Sequence, residues 1–154
     1  MSNYQNMLHD DCIKLETNID DATPEMMGIT LERLMDAGAL DACFIPCFMK
    51  KNRPAYMLQV LCHEDTMAAL EEIIFKETTT IGVRWELYRR DMLQREIVTV
   101  NTSLGDALVK VCTLPDGTTK FYPEYESIKE LSEKHNKSYR EIFDLVKLSC
   151  EIKR

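Results

Sequence analysis

The order of apolar runs constrains this 154-residue chain more than any other feature: strand, helix, strand, strand, helix, strand between Cys12 and Tyr88. That order is the split βαβ, ferredoxin-like plan. Cys12-Ile13-Lys14-Leu15 alternates like a first strand, and from Pro24 the residues Met26, Met27, Leu31, Leu34 and Met35 repeat at helical spacing until Gly38. Leu40–Met49 and Ala55–Cys62 then form two strands about the basic turn Lys50-Lys51-Asn52-Arg53-Pro54, which predicts a hairpin. Asp65 is the expected cap of a second helix with Met67, Leu70, Ile73, Ile74 and Phe75 on its buried face, and Val83–Tyr88 is the fourth strand.

Three more strand-like segments follow at Arg95–Val100, Ala107–Thr113 and Thr119–Tyr122, the last two separated by the turn Pro115-Asp116-Gly117. A helix opened by Pro123-Glu124-Tyr125-Glu126 carries Ile128 and Leu131. Another, capped by Ser138 in a Ser138-x-x-Glu141 box, buries Ile142, Leu145, Val146 and Leu148. The fold class is therefore expected to be α+β: a ferredoxin-like split βαβ sandwich followed by additional strands and a C-terminal helical hairpin. Residues 1–11 are expected as an N-terminal tail, 12–92 as the ferredoxin-like subdomain, and 93–154 as a strand and helical-hairpin subdomain packed on it in a single compact unit.

A net charge of −7 and a pI near 5.0 argue against a broad nucleic-acid surface, which needs a basic face. No apolar run approaches the ~18 residues of a membrane span. The six cysteines lie partly inside strand-like runs, where a thiol behaves as a small hydrophobe, and Cys43-x-x-x-Cys47 has no second ligand pair beside it. With no signal-peptide pattern, a reducing cytoplasm is the expected setting. His9, His63 and His135 are scattered without ligand spacing, so a soft-metal site on them is not expected. No Gly-rich nucleotide fingerprint or nucleophile elbow is present.

The chemistry concentrates in three short segments. Leu15–Glu25 sets Glu16, Asn18, Asp20, Asp21 and two threonines in what reads as a polar turn between strand and helix, a hard-oxygen set suited to Mg²⁺ or Mn²⁺. Its bland reading is a helix start, with Thr23 as N-cap and Pro24 at the first position. Lys50, Lys51 and Arg53 suit a polyphosphate, or are a solvated hairpin tip. Thr78, Thr79 and Thr80, followed by Arg84, can cradle an anion, or simply stop a helix. Trp85 is expected in the core or at a subunit interface, and Tyr122–Glu126 can hold a base or metal or be a Pro-started helix. The acidic segment and the basic hairpin are expected at opposite ends of the sheet, so that joining them requires a neighbouring subunit or a curled hairpin.

LETNIDDATPE, MKKNRPA, ETTTIGVR and FYPEYE, in this order and spacing, closely resemble the C-terminal domain of the nickel insertion protein family, over roughly residues 12–150. That family serves the nickel-pincer nucleotide cofactor of lactate racemase. The resemblance implies a CTP-dependent cyclometallase, a lyase-type activity that inserts nickel, its substrate ion, into pyridinium-3,5-bisthiocarboxylic acid mononucleotide as CTP is cleaved to CMP and pyrophosphate. It implies CTP bound with Mg²⁺ or Mn²⁺ by this domain, a trimer or hexamer, and partnership with the N-terminal half of the family's protein. Carried over by motif, Glu16, Asn18, Asp20 and Asp21 are candidates for the metal and its hydration shell. Lys50, Lys51, Arg53, Thr78, Thr79, Thr80 and Arg84 are candidates for the triphosphate, and Glu124 is a further one.

The chain departs from the pattern at Ala55, where Gly is expected, and at Ala107-Leu108, where a more basic stretch is expected. It is expected to be a piece of the longer protein or a separately translated segment. The competing expectation is a non-catalytic ferredoxin-like module for oligomerisation or ligand sensing, since fold alone does not fix function.

Overall fold

The computed structural model describes residues 7–151. Its elements are β1 (Met7–Ile19), α1 (Pro24–Asp36), β2 (Asp41–Met49), β3 (Arg53–Cys62), α2 (Glu64–Glu77), β4 (Arg84–Thr102), β5 (Gly105–Thr113), β6 (Thr119–Pro123), α3 (Tyr125–His135) and α4 (Tyr139–Glu151). They divide into two units, His9–Arg90 and Asp91 onward, the latter taking in Met7 and Leu8.

In the first unit the strand order is β2-β3-β1-β4. β3 pairs antiparallel with both β1 and β2, so β1 and β2 run parallel, as two βα crossovers in one sheet require. The period-2 alternation of β1 buries Ile13, Leu15, Thr17 and Ile19 against α1 and α2, together with Leu34, Leu58, Val60, Leu70 and Ile74. Lys14, Glu16 and Asn18 alternate with these and share the other face. α1 starts as its sequence dictates: Thr23 accepts the Met26 N–H at 3.3 Å and Pro24 takes the first helical position.

In the second unit, β4, β5 and β6 form an antiparallel meander. Val100, Ala107 and Val109 pack with Ile128, Leu131, Ile142, Val146 and Cys150 of the two helices. Gly117 closes the β5–β6 turn with φ +84°, a left-handed value that favours glycine. The Ser138 box forms as read: the Ser138 N–H and hydroxyl reach Glu141 Oε2 at 3.0 and 2.8 Å, and the Glu141 N–H returns to Ser138 Oγ at 3.3 Å.

Several expectations change. β1 begins at Met7, so Met7–Asp11, expected in the N-terminal tail, are strand; residues 1–6 lie outside the described residues. β1 also runs on to Ile19, which makes Glu16 and Asn18 strand residues and leaves only 20–23 as the connection to α1. The two strands read at 83–88 and 95–100 belong to one continuous β4 of 19 residues, Arg84–Thr102, with no Gly or Pro between them to break it. His63 rather than Asp65 caps α2, and Pro123 ends β6 rather than opening α3. Phe75, Leu148 and Trp85 are each about half exposed, so none belongs to a core of this chain.

Candidate functional site

Because β1 and β2 are parallel, their C-terminal ends lie at one end of the sheet, and the β2–β3 hairpin stands beside the connection that leaves β1. The register states it directly: Ile19 is opposite Tyr56, and Met49 is opposite Arg53. The expectation that the acidic segment and the basic hairpin lie at opposite ends is therefore wrong. It overlooked that a crossover from β1 to a parallel β2 returns the chain to its starting end, so β2 finishes where β1 does. Arg53 Nη1 donates to Asp20 Oδ2 at 3.0 Å, within a single subunit.

The link from α2 to β4 reaches the same place. Thr17, on the buried face of β1, donates from Oγ1 to the Gly82 carbonyl at 2.8 Å and lies 2.5 Å from Thr80 Oγ1. Thr79 donates to Asp21 Oδ1. Thr78 Oγ1 caps the end of α2 by donating to the Ile74 carbonyl at 2.7 Å. All three chemistry-bearing segments thus meet at one end of one sheet. In the hairpin, Lys50–Asn52 form a single tight turn in which Lys51 and Asn52 hold left-handed φ values of 61° and 57°. Lys50 and Lys51 are exposed there and make no ion pair among the described residues. Ala55 is an ordinary buried β3 residue opposite Cys47, a position that any small side chain fills.

Beside these turns lies a charged network on the helix-free face of the sheet. Glu16 receives Lys14 Nζ at 2.9 Å, Arg84 Nε at 3.1 Å and Gln59 Nε2 at 3.3 Å. Arg84 also donates to Asn18 Oδ1 at 2.9 Å and to Met57 Sδ at 3.3 Å. Lys14 donates to the Tyr88 hydroxyl at 2.7 Å and pairs with Glu86 at 3.3 Å. The Tyr88 hydrogen bond and the Glu16 carboxylate push the Lys14 ammonium above its ordinary range. Lys14 and Arg84 hold the Glu16 carboxyl below its ordinary range, against the opposing effect of its partial burial.

Glu16 is therefore committed to two cations, and Asn18 to Arg84. Among the described residues Asp20 and Asp21 carry one side-chain partner each, Arg53 and Thr79. Among the described residues no three His, Cys, Asp or Glu side chains converge as a metal cage. Cys43 and Cys47 are free thiols on an edge strand. The donors left are two carboxylates and nearby hydroxyls, a set that suits Mg²⁺ or Mn²⁺ completed by phosphate oxygens and waters. The depression lined by Lys14, Glu16, Arg84, Trp85 and Glu86 holds about 150 Å³, well short of the ~300 Å³ at which ligand pockets usually begin. A polyphosphate would lie across the exposed turns instead. Glu124 belongs to the other unit, where it pairs with Lys110 at 2.9 Å.

Sequence reasoning missed Lys14, Tyr88, Gln59 and Met57 as parts of this network. For Lys14 the signal was available: it precedes Glu16 and Asn18 by two and four residues and so shares their face. The others depend on cross-strand register.

No helix among the described residues is long and apolar enough to cross a membrane. Residues 1–143 match the sequence profile of a family described as nickel insertion protein. The pyridinium-3,5-bisthiocarboxylic acid mononucleotide nickel insertion protein of Alkaliphilus metalliredigens is 48% identical over 132 residues, 86% of this chain and 31% of its own length. That of Acetivibrio thermocellus is 40% identical over 139 residues, 90% of this chain and 34% of its own length. The chain thus spans about a third of the curated relatives it matches. Among solved structures, the apo form of the C-terminal domain of a cyclometallase involved in the synthesis of the NPN cofactor of lactate racemase matches with TM-score 0.87 at 37% identity, over 94% of this chain and 99% of that one. A Methanopyrus kandleri protein, 22% identical with TM-score 0.61 over 91% of this chain and 88% of its own, shares the fold.

Proposed function

The chain belongs to the nickel insertion protein family, and we propose that it is the part of such an enzyme that binds CTP together with Mg²⁺ or Mn²⁺. In the whole enzyme, joined with the N-terminal half of the family's protein, this binding serves insertion of nickel, as substrate, into pyridinium-3,5-bisthiocarboxylic acid mononucleotide, with CTP cleaved to CMP and pyrophosphate. The observation that carries the reading is the meeting of the acidic connection, the basic hairpin and the threonine turn at one end of the sheet, tied by Arg53 to Asp20. A metal–triphosphate needs these three chemistries side by side: carboxylates for the cation, cations for the phosphates, and short polar groups to orient them. The cytidine base is taken from the family resemblance.

In this reading Asp20 and Asp21 hold the divalent ion, and Lys50, Lys51 and Arg53 neutralise phosphate oxygens. Thr78, Thr79 and Thr80 shape the turn that faces them. Glu16 and Asn18 serve mainly to fix Arg84, whose guanidinium is then presented without rotamer freedom. The bound cation supplies charge neutralisation on departing pyrophosphate. Because the three segments meet within one chain, a homo-oligomer, trimer or hexamer, is not needed to join them.

A second reading, a non-catalytic assembly module, is favoured by exposed apolar side chains near this end: Phe48 at 74%, Ile81 at 100% and Trp85 at 54%. Thermal unfolding with CTP, UTP, ATP and GTP, each with and without Mn²⁺, separates the two. A ligand at 100 times its dissociation constant stabilises by ~2.7 kcal/mol. Selective stabilisation by CTP that requires Mn²⁺ and disappears in Asp20→Ala and Lys51→Ala is expected. No shift with any nucleotide would leave the assembly module as the better account.

A further inference from the structure

We propose that Arg53 guards Asp20 against free divalent cations and releases it only when a polyphosphate offers the guanidinium a better partner, so that metal and nucleotide bind as a couple. This rests on the reading of Asp20 as a metal ligand. Of the three cations in the hairpin, Arg53 alone makes an ion pair among the described residues, a single end-on hydrogen bond to Asp20 Oδ2 at 3.0 Å. Both side chains are open to water, with Arg53 57% and Asp20 28% exposed. Such a pair is weak and easily exchanged.

Weakness is what an exchangeable guard requires. A dication arriving alone at Asp20 meets the guanidinium already on that carboxylate, and the two like charges repel. A triphosphate removes the conflict, because phosphate oxygens accept the planar guanidinium in a bidentate grip that the end-on carboxylate contact does not provide. The hairpin's short turn keeps Arg53 beside Lys50 and Lys51, so its new partner lies where those ammonium groups also reach. Arg84 behaves differently: it is held by Glu16, Asn18 and Met57 together and stays in place. Asp21 accepts from the neutral Thr79 hydroxyl, which sets up no comparable repulsion. By linkage, whatever factor the nucleotide adds to metal affinity, the metal adds to nucleotide affinity.

The test is Mn²⁺ binding without nucleotide, read from the electron paramagnetic resonance of free Mn²⁺, for the wild-type chain, Arg53→Ala, Lys50→Ala and Asp20→Ala, repeated with CTP. Lys50→Ala removes an equal charge from the same hairpin without touching Asp20. Arg53→Ala should bind Mn²⁺ alone about threefold more tightly than Lys50→Ala does, the range an exposed ion pair supplies, and CTP should enhance its Mn²⁺ binding far less than in wild type. Equal affinities in the two variants would reduce the effect to net charge and overturn the proposal. No tightening in Arg53→Ala, with CTP and Mn²⁺ still stabilising the wild type, would overturn it while leaving the nucleotide reading intact. Mn²⁺ binding that is unchanged in Asp20→Ala, with or without CTP, would remove the metal ligand and with it both.

Discussion

Arg53, the first residue of β3, donates a 3.0 Å hydrogen bond to Asp20, the first residue past β1. This contact joins two segments that lie 33 residues apart, and it follows from the parallel course of β1 and β2. Its place at the surface limits its thermodynamic role. Exposed ion pairs contribute roughly 0–1 kcal/mol, so Arg53→Ala should lower the unfolding free energy measured in urea by an amount within that range while impairing nucleotide binding. A loss of several kcal/mol would make Arg53 a structural residue rather than a binding one.

The elements of the first unit were legible because its core obeys simple periods. Ile13 and Leu15 alternate inward, while Leu34, Leu70 and Ile74 fall on helical stripes; Thr17 and Ile19 continue the same alternation, which the polar string around them disguised as a turn. The site residues were legible one by one, from their oxygen-rich and basic strings, but their meeting was not. That depends on the direction of β2 relative to β1, a consequence of topology that no local string carries. The Lys14–Glu16–Arg84 network was hidden for a related reason: Arg84 reaches Glu16 across 68 positions, through strand neighbours whose register only the folded sheet fixes. Phe75 and Leu148 sit on helical stripes yet remain about half exposed, since a stripe says which face turns inward but not where the partner surface ends.

Thr17 anchors the threonine turn from within the core. Its side chain is 2% exposed, and its hydroxyl serves both Gly82 and Thr80. Thr17→Val keeps the shape and the strand preference but deletes the donor. We expect a loss of about 0.5–1.5 kcal/mol in denaturant unfolding, the usual net worth of one hydrogen bond, because the Gly82 carbonyl lies at an exposed residue and keeps the Thr80 hydroxyl as a donor. The 78–84 link should also loosen, seen as faster amide exchange at Thr80 and Gly82. Unchanged exchange there would mean that the turn is held by other contacts.

Lys51 and Asn52 are consecutive left-handed residues at φ 61° and 57°. An L side chain other than Asn or Asp is disfavoured there by roughly 1–2 kcal/mol. Lys51→Gly should therefore raise the melting temperature of the nucleotide-free protein slightly, the relief partly offset by the extra chain entropy of glycine. The same substitution should weaken binding of CTP with Mn²⁺ if the Lys51 ammonium meets the phosphates. Asn52→Gly, at a residue type that tolerates this conformation, should leave both nearly unchanged. Stabilised folding with undiminished nucleotide binding in Lys51→Gly would exclude Lys51 from the phosphate site.

Glu16 gives the network a pH signature whose sign is fixed by its surroundings. Lys14, and after it Arg84, hold its carboxyl below the ordinary value of 4.5 in the folded chain. The folded state therefore binds the proton less readily than the unfolded chain. Glu16 contributes its stability above 4.5, and that contribution fades as pH falls from there through the depressed folded value. Glu16→Gln removes this titration while keeping a side chain that can still accept from Arg84. The variant should be less stable than wild type at neutral pH, and the difference should shrink steadily on acidification below about pH 4.5. Glu141, lowered by the Ser138 backbone and hydroxyl, titrates in both proteins and cancels in the comparison. Urea midpoints collected across this range for the two proteins decide the matter. Parallel curves would show that Lys14 and Arg84 stabilise the Glu16 carboxylate no better than water does, and the network would then lose its claim to hold Arg84 in place.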